Sequence, residues 1–130
     1  MGKSGGILFF DLDGLKTIND TYGHKIGDLA IKLESYVIKT AFRESDVVGR
    51  LSGDEFGVVA PGFPSRKIDY LREKLIKLNE KVSKENDLPF TLSISVGCVD
   101  FSPASCDFQA LLKQADEKLY EEKRIKHSRR

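Results

Sequence analysis

The 130-residue chain predicts an α+β domain, a mostly antiparallel sheet with helices packed on it. Three observations carry that expectation. Short apolar runs and amphipathic stretches follow one another in the order β-α-α-β-β-α-β-α. Two of the strands flank one short turn containing Gly53, which makes them an antiparallel hairpin. No repeat or long linker divides the chain, and its length suits one hydrophobic core.

Each element has its own signal. Ile7-Leu8-Phe9-Phe10 is an aliphatic and aromatic run that ends at Asp11-Leu12-Asp13-Gly14, a buried strand followed by a turn. Lys16 to Asp28, punctuated by Gly23 and Gly27, predicts a short helix and a turn. Leu29, Leu33, Val37 and Ala41 recur at every fourth residue and predict a helix with those side chains on its buried face. Asp46–Leu51 and Phe56–Ala60 read as the hairpin strands around Ser52-Gly53-Asp54-Glu55. Ile68, Leu71, Leu75, Leu78 and Val82 step by three and four, as an amphipathic helix does. Phe90, Leu92, Ile94 and Val96 alternate with Thr91, Ser93, Ser95 and Gly97, which predicts a half-buried strand. Phe108, Leu111, Leu112, Ala115 and Leu119 form the last helical stripe, and the basic stretch from Lys123 to Arg130 is expected to fray for want of an apolar face. The order is that of a ferredoxin-like palm. Residues 1–6 are expected to be a flexible lead-in, 7–124 the folded domain and 125–130 a basic tail.

Composition excludes several classes. Lys and Arg total 21 against 20 for Asp and Glu, a net charge of +1 that argues against nucleic acid as a bulk partner. No apolar run is long enough to cross a bilayer, so no membrane contact is expected of this domain. Cys98 and Cys106 lack metal-ligand spacing and are expected to be a buried thiol and a loop thiol in a reducing, cytoplasmic setting. A membrane-anchored parent protein is compatible with that.

Residues that carry chemistry gather at two turns. Asp11 and Asp13 end the first strand, and Asp54 and Glu55 lie at the hairpin turn. If the hairpin pairs beside the first strand, four carboxylates converge, repel one another and call for a cation. Hard oxygen donors of this kind suit magnesium with substrate phosphates. Turn chemistry accounts for the same residues without a metal, and spacing alone leaves both readings open. Gly14-Leu15-Lys16 opens a helix whose free N–H groups suit a phosphate. Asn19 and Asp28 can read a purine edge, a carboxylate accepting from both the ring N–H and the amino group of guanine. Each also has a plain structural role, and His24 is by itself a capping or core histidine.

Taken together, these residues resemble the GGDEF family of diguanylate cyclases. Phe10 to Asp28 is similar to the family's first strand and nucleotide-binding segment, Arg50 to Phe56 to its namesake hairpin, and Ala115 to Tyr120 to its last helix. The resemblance implies that Asp11, Asp54 and the Leu12 carbonyl hold magnesium or manganese. It gives Glu55 the role of a further ligand, or of the group that eases deprotonation of the attacking hydroxyl. Gly14, Leu15 and Lys16 would hold phosphates, with Lys123 reaching them from the last helix. Asn19 and Asp28 would read guanine, His24 would lie near the nucleoside, and Gly53 would let the backbone approach the substrate. The implied reaction joins two GTP, held on two facing copies of the domain, into cyclic di-GMP with loss of pyrophosphate. An upstream sensor domain in the parent protein is implied as well. Arg43-Glu44-Ser45-Asp46 fits the family's RxxD inhibitory site, where product would meet the planar fork of Arg43 and the Asp46 carboxylate.

Three departures stand out. Ser52 replaces the first glycine of the namesake motif, which would be costly if that position needed a positive φ. The family's upstream segment does not appear in these residues, from which weak binding or turnover is expected. Lys126-His127-Ser128 stands where the family carries Gly-Arg-Asn, so His127 removes an expected phosphate contact. Two rivals follow: a degenerate module that senses GTP or cyclic di-GMP without catalysis, and a cyclase of ATP or mixed nucleotides, which Asp28 disfavours.

Overall fold

The computed structural model describes residues 4–102 and 107–128. Cys106, expected in a loop, lies outside the described residues, as does the side chain of His127. The elements run β1 (Gly5–Leu12), α1 (Leu15–Tyr22), α2 (His24–Ala41), β2 (Val47–Ser52), β3 (Glu55–Pro61), a short 3-10 turn, α3 (Ile68–Glu85), β4 (Ile94–Phe101) and α4 (Phe108–Ser128). The strands form one sheet in the order β2-β3-β1-β4, with every neighbouring pair antiparallel. The α+β palm inferred from the element order is the fold observed.

Strand alternation sorts the apolar residues into two layers. Leu8, Phe10 and Leu12 of β1 share a face with Phe56, Val58 and Ala60 of β3 and with Ile94, Val96 and Cys98 of β4. Helices α2 and α3 close this face with Ala30, Val37, Ile38, Leu71, Leu75 and Val82. The opposite face carries Ile7 and Val99, which pack on Leu111 and Ala115 of α4. No described helix is long and apolar enough to cross a membrane.

Four local expectations are corrected. β1 starts at Gly5 rather than Ile7, because Gly5 pairs with both Pro61 and Phe101. The buried line of α2 is Gly27, Ala30, Glu34, Val37 and Ile38, while Leu29, Leu33 and Ala41 are only partly buried. A strict four-residue repeat turns about 40° per step around the helix axis and leaves any one face within three steps. The strand expected over Phe90–Gly97 begins at Ile94 and is buried on both faces. β1 ends at Leu12, the partner of Ile94, so the residues before Ile94 have no strand to pair with. Finally, α4 does not fray at Lys123 but continues to Ser128, held by ion pairs described below.

The close approach of α4 to the sheet depends on one glycine. A Cβ at Gly97 would lie 2.3 Å from the Leu119 backbone nitrogen and 2.5 Å from the Ala115 carbonyl oxygen. Gly49, in β2, faces open space. Gly97→Val is therefore expected to lower the unfolding free energy by about 3 kcal/mol or more, whereas Gly49→Val stays within about 0.5 kcal/mol of wild type. Urea denaturation of both variants checks this contrast.

Candidate functional site

The β1–β3 register sets Asp11 opposite Glu55, so the β2–β3 turn lies beside the end of β1. Asp54, in that turn, is near enough to Asp11 to push its carboxyl upward. Two acidic segments some forty residues apart thus lie side by side, though the four carboxylates expected to converge do not all turn to one point, Asp13 being held by Ser93, Ser95 and Lys126. Lys123 of α4 reaches across to the acidic segments. Its Nζ lies 2.9 Å from Asp11 Oδ2 and donates to the Leu12 carbonyl oxygen at 3.3 Å. The other oxygen of Asp11, Oδ1, is buried and has no hydrogen-bond partner among the described residues.

The electrostatics follow from this crowding. Burial pushes the Asp11 carboxyl up to about 6, the neighbouring Asp54 adds to the rise, and Lys123 opposes it. Glu55 is also raised, by burial first and then by the charges of Asp11 and Asp116, against Lys123. Among the described residues no three His, Cys, Asp or Glu side chains stand at metal-holding spacing. The positive charge between Asp11 and the Leu12 carbonyl is the Lys123 ammonium. That ammonium acts as a stand-in cation. It shows that the carboxylate and the carbonyl present hard oxygen donors to one point, with Asp54 beside them, a donor set that suits a hard divalent ion.

Asp13 stands at the edge of this set, its Oδ1 4.0 Å from Lys123 Nζ, and is held mainly by other partners. Its carboxylate accepts from Ser93 Oγ at 2.5 Å, Ser95 Oγ at 2.6 Å and Lys126 Nζ at 2.8 Å. Burial works against its ionisation, but the hydrogen bonds from Lys126, Ser93 and Ser95 outweigh it and hold the carboxyl below the usual range. Lys126 also donates to the Ile94 carbonyl at 3.0 Å. Asp13 thereby ties the last turns of α4 to the sheet, which is why the basic stretch stays helical.

The nucleotide candidates lie on the adjoining helices. Gly14 has φ 72° and precedes α1 without any side-chain cap, which leaves the first N–H groups of α1 unclaimed by a capping side chain. Leu15 is half-buried there and Lys16 is exposed. Asn19 sits against the first turn of α2, its side-chain oxygen over Gly27, where a Cβ would lie 1.8 Å away. His24 and Asp28 are exposed at that same end of α2, four residues apart and so on one side of the helix. At the hairpin, Gly53 carries the positive φ of 42° and Ser52 belongs to β2 with no positive φ. The serine therefore carries no backbone strain.

Arg43 and Asp46 form a separate site. Arg43 Nη2 donates to Asp46 Oδ1 at 3.3 Å and to the Pro61 carbonyl at 2.5 Å, and the Arg43 backbone N–H donates to Asp46 Oδ2 at 2.8 Å. They line a cleft of about 250 Å³ together with Phe63, Lys67, Tyr70 and Lys74.

Sequence reasoning missed Lys67 and Lys74, which are invisible without the fold, and Asp116, whose charge reaches Glu55 from α4. It also missed Glu34. This residue is fully buried in α2, and neither carboxylate oxygen has a hydrogen-bond partner among the described residues. Burial, then Asp54 and Asp11, push its carboxyl up to about 9. The available signal was an acid on the line Ala30, Val37 and Ile38.

Residues 1–129 match the family model described as diguanylate cyclase, GGDEF domain. The chain is 35% identical over 123 residues to a protein of Escherichia coli named "Probable diguanylate cyclase DgcC", an alignment that takes in 95% of this chain and 33% of that one. It is 36% identical over 124 residues to the cyclic di-GMP phosphodiesterase NbdA of Pseudomonas aeruginosa, covering 94% of this chain and 16% of that one. The chain thus spans about a third or less of these curated relatives. Among solved structures, the GGDEF domain of TpbB, also called YfiN, from Pseudomonas aeruginosa superposes with a TM-score of 0.79 at 30% identity, over 95% of this chain and 73% of that one.

The Asp13 network yields a pH-dependent prediction. A depressed carboxyl contributes stability that is present above its unfolded value of 3.8 and is lost as pH falls through the folded value. Lys126→Met is expected to destabilise by about 1–2 kcal/mol at about pH 7, with the difference from wild type shrinking in acid below the unfolded value of 3.8. Urea midpoints at neutral and acid pH measure this. A gap that persists in acid would contradict the pairing.

Proposed function

This chain belongs to the diguanylate cyclase GGDEF domain family, and from that premise we propose that it condenses two GTP into cyclic di-GMP with release of pyrophosphate. The observation that carries the reading is the meeting of Asp11 and Asp54 beside a cation already seated on the Asp11 carboxylate and the Leu12 carbonyl. Asp11, Asp54 and Leu12 would hold a divalent ion, magnesium or manganese, which when bound supplies positive charge for the triphosphate and for the developing alkoxide. Glu55, raised above the usual carboxylate range, is placed to join that ligand set or to take the proton of the attacking 3′-hydroxyl.

The remaining roles belong to the chain's own groups. The uncapped start of α1 at Gly14, Leu15 and Lys16 suits the β- and γ-phosphates, through main-chain N–H groups and the lysine charge. Lys123 would leave the carboxylates for the phosphates when the divalent ion takes its place. Asn19 and Asp28 would accept and donate along the guanine edge, with His24 beside the nucleoside. Gly53, at positive φ, keeps the hairpin turn free of a side chain where substrate backs onto it.

A single domain holds one nucleotide. The second must come from a second copy, so the active form would be a homodimer with two loaded sites face to face. Each 3′-hydroxyl attacks the α-phosphate of the other GTP, the bond to the β-phosphate oxygen breaks, and pyrophosphate leaves twice. The Arg43–Asp46 cleft, with Lys67 and Lys74 at its wall, would take product as an inhibitor. In a longer parent protein an upstream sensor would bring the copies together, in the cytoplasm where GTP is found.

The test uses two chains joined through a fused dimerising coiled coil, with GTP and magnesium, and reads cyclic di-GMP by chromatography. The fused dimer is expected to make product, and Asp54→Ala to lower the rate by at least about a hundredfold. Equal product from Asp54→Ala would end the reading. Nucleotide binding with no product from either protein would leave a sensor in its place.

A further inference from the structure

One glycine sits where a helix has no need of it. Gly27 lies inside α2 without a positive φ, and its N–H donates to the Gly23 carbonyl at 3.2 Å as in any helical turn. Alanine favours the helix at such a position. What a side chain would meet explains the choice. A Cβ there would lie 1.8 Å from Asn19 Oδ1, 2.9 Å from its Cγ and 3.6 Å from its Nδ2, so the nearest atoms all belong to one carboxamide. The end of Asn19 occupies the space of the missing methyl. Its oxygen is turned to α2 and its NH₂ group away. The first turn of α2 has no side-chain cap, and the partial positive charge of its N–H groups favours an oxygen against it. Gly27 and the helix start thus set both the place and the orientation of the amide.

We propose that Gly27 is a positioning residue for base selection, holding Asn19 so that its NH₂ group, and not its oxygen, faces the nucleotide. The inference rests on the guanine reading proposed above and deepens it. Asn19 then offers a donor, while Asp28, exposed and next in the chain after Gly27, offers a carboxylate that only accepts. Guanine answers that pair, because its O6 and N7 accept while its N1–H and amino group donate. Adenine carries an amino group in place of O6 and an unprotonated N1, so both contacts would set like against like. A methyl at residue 27 would push the carboxamide out of this pose. The atoms it displaces are the end of a flexible side chain, so the helix itself survives the change.

The experiment measures, by calorimetric titration with magnesium present, the binding of α,β-methylene GTP and α,β-methylene ATP, analogues whose α–β link does not break. Wild type is compared with Gly27→Ala, Asn19→Ala and the double variant, each also unfolded by heat. Gly27→Ala is expected to bind the GTP analogue about tenfold more weakly, the loss of one hydrogen bond to the base, and the ATP analogue unchanged. It is expected to unfold at or above the wild-type temperature, because alanine favours the helix. If the glycine acts through Asn19, the double variant binds the GTP analogue within about twofold of Asn19→Ala. If Asn19→Ala binds the GTP analogue weakly and Gly27→Ala binds it like wild type, the proposal falls while the guanine reading stands. A loss in Gly27→Ala that is equal for both analogues, or that adds in full to the loss in Asn19→Ala, assigns the glycine to packing and overturns the proposal in the same way. If Asn19→Ala binds like wild type, or wild type does not prefer the GTP analogue, the guanine reading falls and Gly27 with it.

Discussion

The pairing of β1 with β3 places acids where they repel one another, and the rest of the structure answers that repulsion. Asp11 faces Glu55 across the ladder, and the turn between β2 and β3 brings Asp54 against Asp11. Hydrogen-bonded register permits no slip, because moving β1 by one residue would turn Leu8, Phe10 and Leu12 out of the core. The charge therefore has to be met from elsewhere. Helix α4 supplies it, with Lys123 on Asp11 and Lys126 on Asp13. For those lysines to reach, α4 must lie close on β4, which Gly97 permits, and its last turns must stay helical.

The acids divide into two kinds. Asp13 has two serines and a lysine and is stabilised as a charge. Asp11 and Glu34 are raised to about 6 and about 9, above ordinary values of 3.8 and 4.5. A raised carboxyl contributes most to stability below its unfolded value, and that contribution is lost as pH rises through the folded value. Without a cation both acids therefore lose stabilisation as pH rises, Asp11 from about 4 to 6 and Glu34 from about 5 to 9. A domain shaped only for stability would not keep them. Under the proposed function, the Asp11 carboxyl is the one a divalent ion would hold in its charged form, bringing its raised value down.

Much of this was legible beforehand. The hairpin around Gly53, the apolar β1 and the stripe of α3 each follow from local pattern, and together they imply the palm. The convergence of Asp11 and Asp54 followed from the hairpin lying beside β1. What escaped was set by tertiary contact. The inner face of α2 includes a glutamate that no apolar period would select. The stretch before Ile94 alternates like a strand, yet has no partner beyond the end of β1. The lysines that keep α4 helical to Ser128 look like a loose basic tail until Asp11 and Asp13 are seen opposite them. Lys67 and Lys74 join Arg43 only once α3 packs beside the α2–β2 connection.

The claim on which everything turns is that Asp11 and Asp54 share a divalent ion. Backbone amide resonances of the nitrogen-labelled chain, recorded while Mn²⁺ is added well below stoichiometric amounts, test it most directly. The account predicts broadening that is strongest at residues 11–13 and 53–55 and fades with distance through the neighbouring strand and helix residues. Broadening scattered over the exposed acids of α3, such as Asp69, Glu73 and Glu80, while the signals of Asp11 and Asp54 stay sharp, would contradict it.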